Sequence, residues 1–595
     1  MVADFDSGNW RRYGDRRPPS GFSFANGWTH ASVVAVPMPR SRLCLLTSAC
    51  RAGAWRKPVF CPLIYVLCIL LTAGCGRRET PVELGNRLQI LHQGVGADPN
   101  DLDPQIVSTN QAAAISMALG EGLTNYDPKD LHPVPGVAEN WEVSPDGLVY
   151  TFHLRANARW SNGEPVTAED FVFSAHRILS PAFAGEFAYM FFPVRGAEDF
   201  NTGRTMDFAP VGVRALDHRT LRYELRQPAP YFLTLVAHWS WYPVHPATIL
   251  KFSRLDEPGT AWTRPGNFTG NGPFALATWQ PGEGAVVKKN PHYWDAPRVR
   301  LQEIDFHFID SRETEERAFR DGQLHLTAEL PRTKIETYRA QTGGPLRVNP
   351  VFETDMVQLN LQKQPLDNPL VRQALSLAID RVALGGQVLH DGSQPANSLL
   401  PDDASGYIYR GEPRLRFEPT EARRLLAAAG YPDGRNFPKL EIAYPNDGVG
   451  VIVCEALQQM WRKHLGLEIA LLGQERRVFV DNLHGHRLTL AFSGWIGDYL
   501  DPMSFLDVFL ATSGHNDPSY INPGYDRLLS AAAGTADPVQ RYAIFSQAES
   551  QLMRDLPILP LYHRPNLHLV HPAVHGFESN LMDMHPYQDM WLGNK

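Results

Sequence analysis

The sequence predicts a mixed α/β protein built from several lobes. Segments with the alternating pattern of β-strands are interspersed with amphipathic segments that begin at helix-capping residues. No low-complexity linker interrupts the chain after residue 90. A chain of 595 residues is long enough for about three to five domains or lobes. The strands and helices do not follow a strict βαβ rhythm, and no solenoid repeat is evident.

Two segments alternate apolar and polar residues as β-strands do: residues 87–92 and 149–154. The second follows a Pro-Asp-Gly sequence that favours a tight turn. We expect a strand on each, with a polar tether just before the first.

Four helices are predicted from residues that favour a helix start. One has a capping-box pattern, with Thr167 and Asp170 three positions apart. Two have proline at the first helical position, after Asn368 and after Asp537. The fourth is expected to begin at Thr420.

Residues 1–74 are expected to be a leader. Basic residues precede an apolar run at residues 59–71, and small residues lead from the run to Cys75. This order is typical of a secretory signal, and the run is short for a membrane span. It resembles a bacterial lipobox, so we expect a lipid on Cys75 and a tether over residues 75–85. The alternative is a transmembrane anchor with an incidental cysteine.

Residues 1–50 have no clear place in such a signal, and one interpretation is an over-extended gene start, with translation beginning at Met38 or later. The leader holds nine of the 56 basic and three of the 64 acidic residues, so the rest of the chain has a net charge of −14. An acidic body argues against nucleic-acid binding. One cysteine follows Cys75, namely Cys454, so no internal disulfide is expected.

Enzyme chemistry is not indicated. The chain has no G-x-S-x-G, H-E-x-x-H, G-x-x-x-x-G-K or C-x-x-C motif. The histidines at 484–486 and 563–571 lack a standard ligand spacing, and Asp402 and Asp403 are expected in a solvated turn. The sequence therefore predicts no catalytic residue, no cofactor and no metal.

Several short motifs follow one another in an order found in a known family. They are DLDP at 101–104, EGL at 121–123, PGVAENW at 135–141, YTFHLR at 150–155, WSNGEPVTAEDF at 160–171, NGPF at 271–274, NPHYW at 290–294, NPLVRQAL at 368–375, AIDR at 378–381, GWIGDY at 494–499 and DP at 501–502. On these motifs, residues 86–595 resemble the extracytoplasmic solute-binding proteins, family 5, of peptide ABC importers, most closely the oligopeptide-binding type.

The resemblance implies a type II periplasmic-binding-protein fold, in which two lobes joined by a hinge close on a ligand. Lobe I would comprise residues 86–120, 245–345 and 565–595, with residues 121–244 as an inserted domain. Lobe II would comprise residues 346–564.

The resemblance also implies a function. A monomeric receptor would capture oligopeptides and deliver them to ABC permease and ATPase subunits, at the periplasmic or cell-surface face of a bacterial membrane that it reaches through its lipid. The alternatives are the same fold binding a metal chelate, haem or an oligosaccharide, or a hydrolase, or a sensor without transport.

A receptor for many peptides has to bind what all peptides share, which is the charged amino end and the backbone. In the family, the aspartate of the Gly-Trp-x-x-Asp-Tyr motif binds the peptide ammonium, and here that residue is Asp498. Gly494, Trp495 and Ile496 would supply a strand edge and the pocket wall, beside Tyr499. The alternatives are a turn cap for Asp498 and a core position for Trp495.

The resemblance marks five further positions. Asn110 and Phe187 stand roughly where the family contacts its ligand through an apolar residue and a tyrosine. At two positions where members that favour short peptides hold the peptide carboxylate, this chain has Phe492 and Gly450. Arg477 stands where tryptophan is common, so either it or its neighbour at 476 would replace the carboxylate clamp, unless longer peptides bind with a free tail.

Overall fold

The structure is a computed structural model that describes residues 78–401, 409, 415–446 and 448–593. Cys75 and the predicted leader lie outside these residues, as do Asp402 and Asp403. For Asn110 the backbone is described but the side chain is not.

Strands and helices alternate along the described chain, which confirms the mixed α/β class. The strands are β1 (Ile90–Gly94), β2 (Thr124–Tyr126), β3 (Pro133–Pro135), β4 (Ala138–Val143), β5 (Val149–Leu154), β6 (Val213–Asp217), β7 (Thr220–Glu224), β8 (Phe274–Gln280), β9 (Gly284–Lys289), β10 (Glu303–His307), β11 (Leu346–Leu359), β12 (Gln394–Pro395), β13 (Leu440–Pro445), β14 (Ile469–Gln474), β15 (Leu490–Ile496), β16 (Ile558–Leu569), β17 (Val574–His575) and β18 (Trp591–Leu592).

The helices include the four that the sequence predicted, and the capping residues begin three of them at the predicted place. They are α1 (Pro81–Leu88), α2 (Asn110–Leu119), α3 (Ala168–Leu179), α4 (Ala197–Asn201), α5 (Phe232–Leu235), α6 (Pro246–Phe252), α7 (Arg312–Arg320), α8 (Ile335–Arg339), α9 (Pro369–Leu377), α10 (Arg381–Ala383), α11 (Pro419–Ala428), α12 (Gly450–Leu465), α13 (Arg476–His484), α14 (Met503–Leu506), α15 (Pro523–Ala533) and α16 (Pro538–Asp555). None of the described helices combines the length and apolar composition that a membrane crossing requires.

The first described residues differ from the prediction. Helix α1 occupies positions that the sequence assigned to a polar tether, and strand β1 begins at Ile90 instead of residue 87. A capping box stabilises the helix, because the side chains of Thr80 and Glu83 each accept a hydrogen bond from the backbone N–H of the other. The apparent alternation at residues 87–92 overlaps the last turn of this helix.

Three larger sheets organise the fold. Their strand orders are β1-β10-β9-β8, β4-β5-β7-β6 and β12-β16-β11-β15-β13-β14. The long strands β11 and β16 pair antiparallel from Leu346 to Gln358. One buried cluster covers the first sheet and draws on segments as far apart as Leu91 and Leu592. A larger cluster packs around the other two sheets.

Two of the short sequence motifs hold distant segments together through buried polar contacts. The Asp103 carboxylate accepts hydrogen bonds from the Arg177 guanidinium at 2.5 and 3.1 Å, and both side chains are fully buried. The Glu121 carboxylate accepts hydrogen bonds from the Tyr293 hydroxyl and the Trp294 indole N–H. Because a buried acidic group needs such partners, these two motifs serve the fold.

Candidate functional site

A cavity of about 610 Å³ lies against the six-stranded sheet. This volume is in the range of ligand-binding clefts, about 300–1,000 Å³. The wall combines strands β11, β15 and β16 with the segment around residues 312–332. Its lining residues include Arg312, Arg332, Glu353, Asp355, Phe492, Ser493, Gly494, Trp495, Ile496 and Arg564.

Strand β15 has a free edge where it lines this cavity. It pairs with β11 along its whole length, but with β13 only at Leu490 and Ala491. Within the described part of the chain, residues 493–496 therefore have a strand on one side alone. An exposed edge of this kind presents backbone N–H and C=O groups with which an extended ligand can pair.

Gly494 lies opposite Asp355 of β11, and a side chain at this position would displace the Asp355 carboxylate. A Cβ at this position would lie 2.6 Å from Oδ1 of Asp355. The same carboxylate accepts hydrogen bonds from the Arg564 guanidinium at 2.7–3.0 Å, and Glu353 lies 3.3 Å from that guanidinium. Burial, opposed by the charge of Arg564, raises the pKa of Glu353 to about 7.

Trp495 and Ile496 line the cavity, where the sequence predicted a pocket wall. The Trp495 ring is half-buried, and its N–H donates a hydrogen bond to the Ser504 carbonyl at 2.7 Å. Ile496 is 46% exposed. Tyr499 instead packs inward and stacks on Tyr231, with ring centroids 5.0 Å apart.

Asp498 follows the free strand edge by two residues. Its carboxylate accepts a hydrogen bond from the Tyr189 hydroxyl, and its backbone N–H donates to the Ser504 hydroxyl at 2.8 Å. Burial raises the pKa of Asp498 to about 6; the Tyr189 hydrogen bond opposes this shift and the charge of Glu186 adds to it. No described arginine, lysine or histidine forms an ion pair with Asp498.

The neighbouring acid, Asp501, has the structural role that Asp498 lacks. Its Oδ1 accepts a hydrogen bond from the Met503 N–H at 2.9 Å, which caps the turn, and both of its oxygens bind the Arg541 guanidinium. Burial and the charges of Asp498 and Asp501 raise the pKa of Asp507 to about 8. Arg541 thus pairs with Asp501, and an ionised Asp498 carboxylate, which has no such cation, favours an added one.

Tyr189 is a residue that the sequence analysis missed. Phe187, the predicted contact, is buried and packs edge-on against His238 and Trp239, at 5.1 and 5.8 Å between ring centroids. The hydroxyl that reaches the acid comes from two positions further along the 3₁₀ segment Glu186–Phe191. The sequence offered one signal for Tyr189: it is a tyrosine two residues after Phe187, which stands where the family has a tyrosine.

The predicted replacements for a carboxylate clamp are separated by the structure. Arg476 lines the cavity, together with Phe492 and Gly450, whereas Arg477 points to solvent from the first turn of α13 and is not among the lining residues. Three further arginines line the cavity and face acids: Arg312 faces Glu329, Arg332 faces Asp391 at 2.8 Å, and Arg564 faces Asp355.

The sequence was also compared with known proteins. The family model described as bacterial extracellular solute-binding proteins, family 5 Middle, matches residues 132–517. The chain belongs to this family. A family 5 relative, the periplasmic oligopeptide-binding protein OppA of Salmonella typhimurium, is 33% identical over 83% of this chain and 91% of its own length.

Solved family 5 structures share the fold. The murein tripeptide binding protein MppA of Escherichia coli matches with a TM-score of 0.74 and 31% identity, over 85% of this chain and 99% of that one. Haemophilus influenzae OppA, solved in complex with RPPGFSPFR, matches with a TM-score of 0.72 and 30% identity over the same shares of the two chains. The fold is therefore the type II periplasmic-binding-protein fold predicted from the motifs.

Proposed function

We propose that this protein is an extracytoplasmic receptor that binds oligopeptides and delivers them to the permease and ATPase subunits of an ABC importer. The observation that carries the proposal is the free strand edge at residues 493–496, which leads directly to Asp498, a carboxylate with no described cationic partner. Family 5 relatives that are named for oligopeptide binding support it.

The chemistry suits a ligand with an extended backbone and a positive end. Backbone pairing along residues 493–496 needs no particular peptide sequence. The peptide ammonium binds Asp498 through a charge-assisted hydrogen bond, which is about twice as strong as a neutral one. Side chains enter the cavity between Gly494 and Arg564. Phe187 and Tyr499 are buried against other aromatic rings and support the site indirectly. A contact between Asn110 and the ligand stays a prediction.

We also propose the lobe division 86–120, 245–345 and 565–595 against 346–564, with residues 121–244 inserted in the first lobe. In this division Tyr189 belongs to the inserted domain and Asp498 to lobe II. Their hydrogen bond would then join the two lobes. A peptide ammonium that binds Asp498 beside the Tyr189 hydroxyl, or in its place, would link ligand binding to closure of the two lobes.

Calorimetric titration with pairs of tri- to pentapeptides, each with a free and with an N-acetylated amino end, tests the function. We expect acetylation to weaken binding at least about 30-fold, because it removes the charge that Asp498 holds. The peptide should be recovered intact, since a receptor does not turn it over. Equal affinities would contradict the amino-end assignment. A co-purifying metal chelate, haem or oligosaccharide, with no peptide bound, would contradict the peptide proposal.

Peptide affinity is expected to depend on pH through Asp498. Its carboxylate binds the ammonium only when ionised, and its pKa in the free protein is about 6. Affinity should be nearly constant between that value and about pH 7, where the peptide amino end is still charged. It should fall by up to about tenfold per unit as pH drops below the pKa of Asp498. Titrations from about pH 7 to pH 4.5 check this. An identical slope in Asp498→Asn would assign the effect to another group.

The lipid anchor is a separate proposal that depends on Cys75. We expect Cys75→Ser to move the protein from the membrane fraction to the soluble extracytoplasmic fraction, since several acyl chains anchor a protein stably. Cys68→Ser, within the apolar run, serves as the matched control and should stay with the membrane. If Cys75→Ser also stays, the apolar run itself is the anchor.

A further inference from the structure

Outside the cleft, histidines line up across one face of the first sheet. His92 on β1 lies beside Asp305 on the parallel strand β10. His325, on the other side of β1, stacks on His92 with ring centroids 5.7 Å apart, and His571 meets His325 at 5.9 Å. None of these residues belongs to the wall of the cleft described above.

Three ligand atoms converge at the β1–β10 end of this row. Nδ1 of His92 lies 3.3 Å from Oδ2 of Asp305 and 3.3 Å from Nε2 of His307, and the last two atoms are 3.5 Å apart. Asp305 and His307 are two positions apart on one strand, so their side chains share a face. The register of β1 then places His92 directly beside them.

These separations match a tetrahedral metal site. Bonds of about 2.0–2.1 Å to a tetrahedral ion place neighbouring ligand atoms about 3.3–3.4 Å apart, whereas octahedral Mg²⁺ with similar bonds would bring them to about 3.0 Å. Two imidazoles and one carboxylate are a ligand set typical of zinc. Both the donor types and their spacing therefore favour Zn²⁺.

The three side chains are accessible to solvent, and His325 stabilises the strand that carries His92. The side chains of His92, Asp305 and His307 are 12%, 28% and 32% exposed, which leaves an open side for entry and for a fourth ligand. The backbone N–H of His92 donates to Nδ1 of His325 at 3.0 Å, and Nε2 of His325 lies 3.3 Å from Oδ1 of Asn86. These contacts hold β1 in the register that the three ligands need.

A second histidine–carboxylate cluster has a different character. In the buried group of His568, Asp583 and His585, the carboxylate oxygens already accept hydrogen bonds from the side-chain amides of Asn349 and Asn566, at 3.1 and 2.7 Å. Both imidazoles also bond to that carboxylate. The carboxylate of this cluster is therefore already occupied by hydrogen bonds from protein groups.

We propose that His92, Asp305 and His307 form a Zn²⁺ site on lobe I, with water or an outside ligand in the fourth position. The bound ion would join β1 to β10 and stabilise the lobe. The proposal is independent of peptide binding, because its three ligands lie outside the cleft.

Calorimetric titration of the whole protein with zinc chloride tests the site. We expect His92→Ala and Asp305→Asn each to weaken one Zn²⁺ equivalent at least tenfold, and Zn²⁺ to raise the thermal unfolding midpoint of the unmodified protein more than that of either variant. His218→Ala is the matched control, since exposed His218 pairs with a single carboxylate, Glu169, at 3.0 Å. The cysteines of the N-terminal 75 residues can also bind Zn²⁺, but all variants share them. The test therefore compares the Zn²⁺ affinity of each variant with that of the unmodified protein.

Two results would overturn the site: unchanged Zn²⁺ affinity in Asp305→Asn, or an equal loss in His218→Ala. Asp305→Asn keeps the size of the side chain, so it remains informative if His92→Ala fails to fold. Peptide affinity should be the same in all these variants. If the unmodified protein binds Zn²⁺ through these ligands but binds no peptide, the peptide assignment fails and the zinc site stands.

Discussion

Asp498→Asn is expected to lower peptide affinity by a factor of roughly 30 to 5,000. Asparagine has the same size and can still accept the hydrogen bond of the Tyr189 hydroxyl, but it lacks the charge that an ammonium needs. Removing one partner of a buried, hydrogen-bonded charge pair costs about 2–5 kcal/mol. Calorimetry with a free-amino tripeptide measures the loss, and Asp481→Asn, an exposed acid on α13, is the control.

The same variant should be more stable than the unmodified protein when no peptide is bound. Burial raises the pKa of Asp498 from its ordinary 3.8 to about 6, so folding favours the protonated form and stability falls as pH rises through this interval. At pH 7 asparagine avoids that cost, which we place at about 1–2 kcal/mol. Urea unfolding at pH 7 and pH 4 measures it, and the gain should disappear at pH 4. A variant that is less stable at pH 7 would mean that affinity was lost through damage to the fold.

Arg541→Met is expected to destabilise the protein by about 3–5 kcal/mol. The guanidinium binds both oxygens of Asp501, and the two side chains are 2% and 5% exposed. Its removal leaves a buried carboxylate without a cation beside Asp498 and Asp507, which is the most costly way to break such a pair. Urea unfolding at pH 7 measures the change, and peptide affinity should fall as the turn before Met503 loosens.

A double variant separates the charge from the packing. Asp501→Asn keeps an oxygen for the Met503 N–H, so Asp501→Asn combined with Arg541→Met removes both charges and retains the turn cap. We expect it to recover most of the lost stability. A double variant as unstable as Arg541→Met would show that arginine packing, and not the ion pair, stabilises this region. If Arg541→Met does not fold, a double variant that does fold leads to the same conclusion about the charge.

Local signals in the sequence predicted local structure well. The capping residues at Thr167, Asn368 and Asp537 begin helices as expected, because a cap depends on hydrogen bonds within one turn. Thr80 and Glu83, three positions apart, form the same kind of cap, although the polar composition of residues 76–85 predicts a tether there. Short segments such as residues 87–92 are ambiguous because three or four apolar residues fit both periods.

By itself, the sequence determined the family, the α/β class and the position of the acid that we expect to bind the peptide amino end. Its motifs also marked acids such as Asp103, whose partner is an arginine 74 positions away. Only the tertiary structure decided that the hydroxyl of Tyr189, 309 residues from Asp498, donates a hydrogen bond to the Asp498 carboxylate. It also decided that residues 493–496 keep a free strand edge. It alone brought His92 within reach of His307, 215 positions away. Caps and motifs are read within a few residues, whereas strand register and lobe contacts join distant segments, and no local pattern specifies which side chains they bring together.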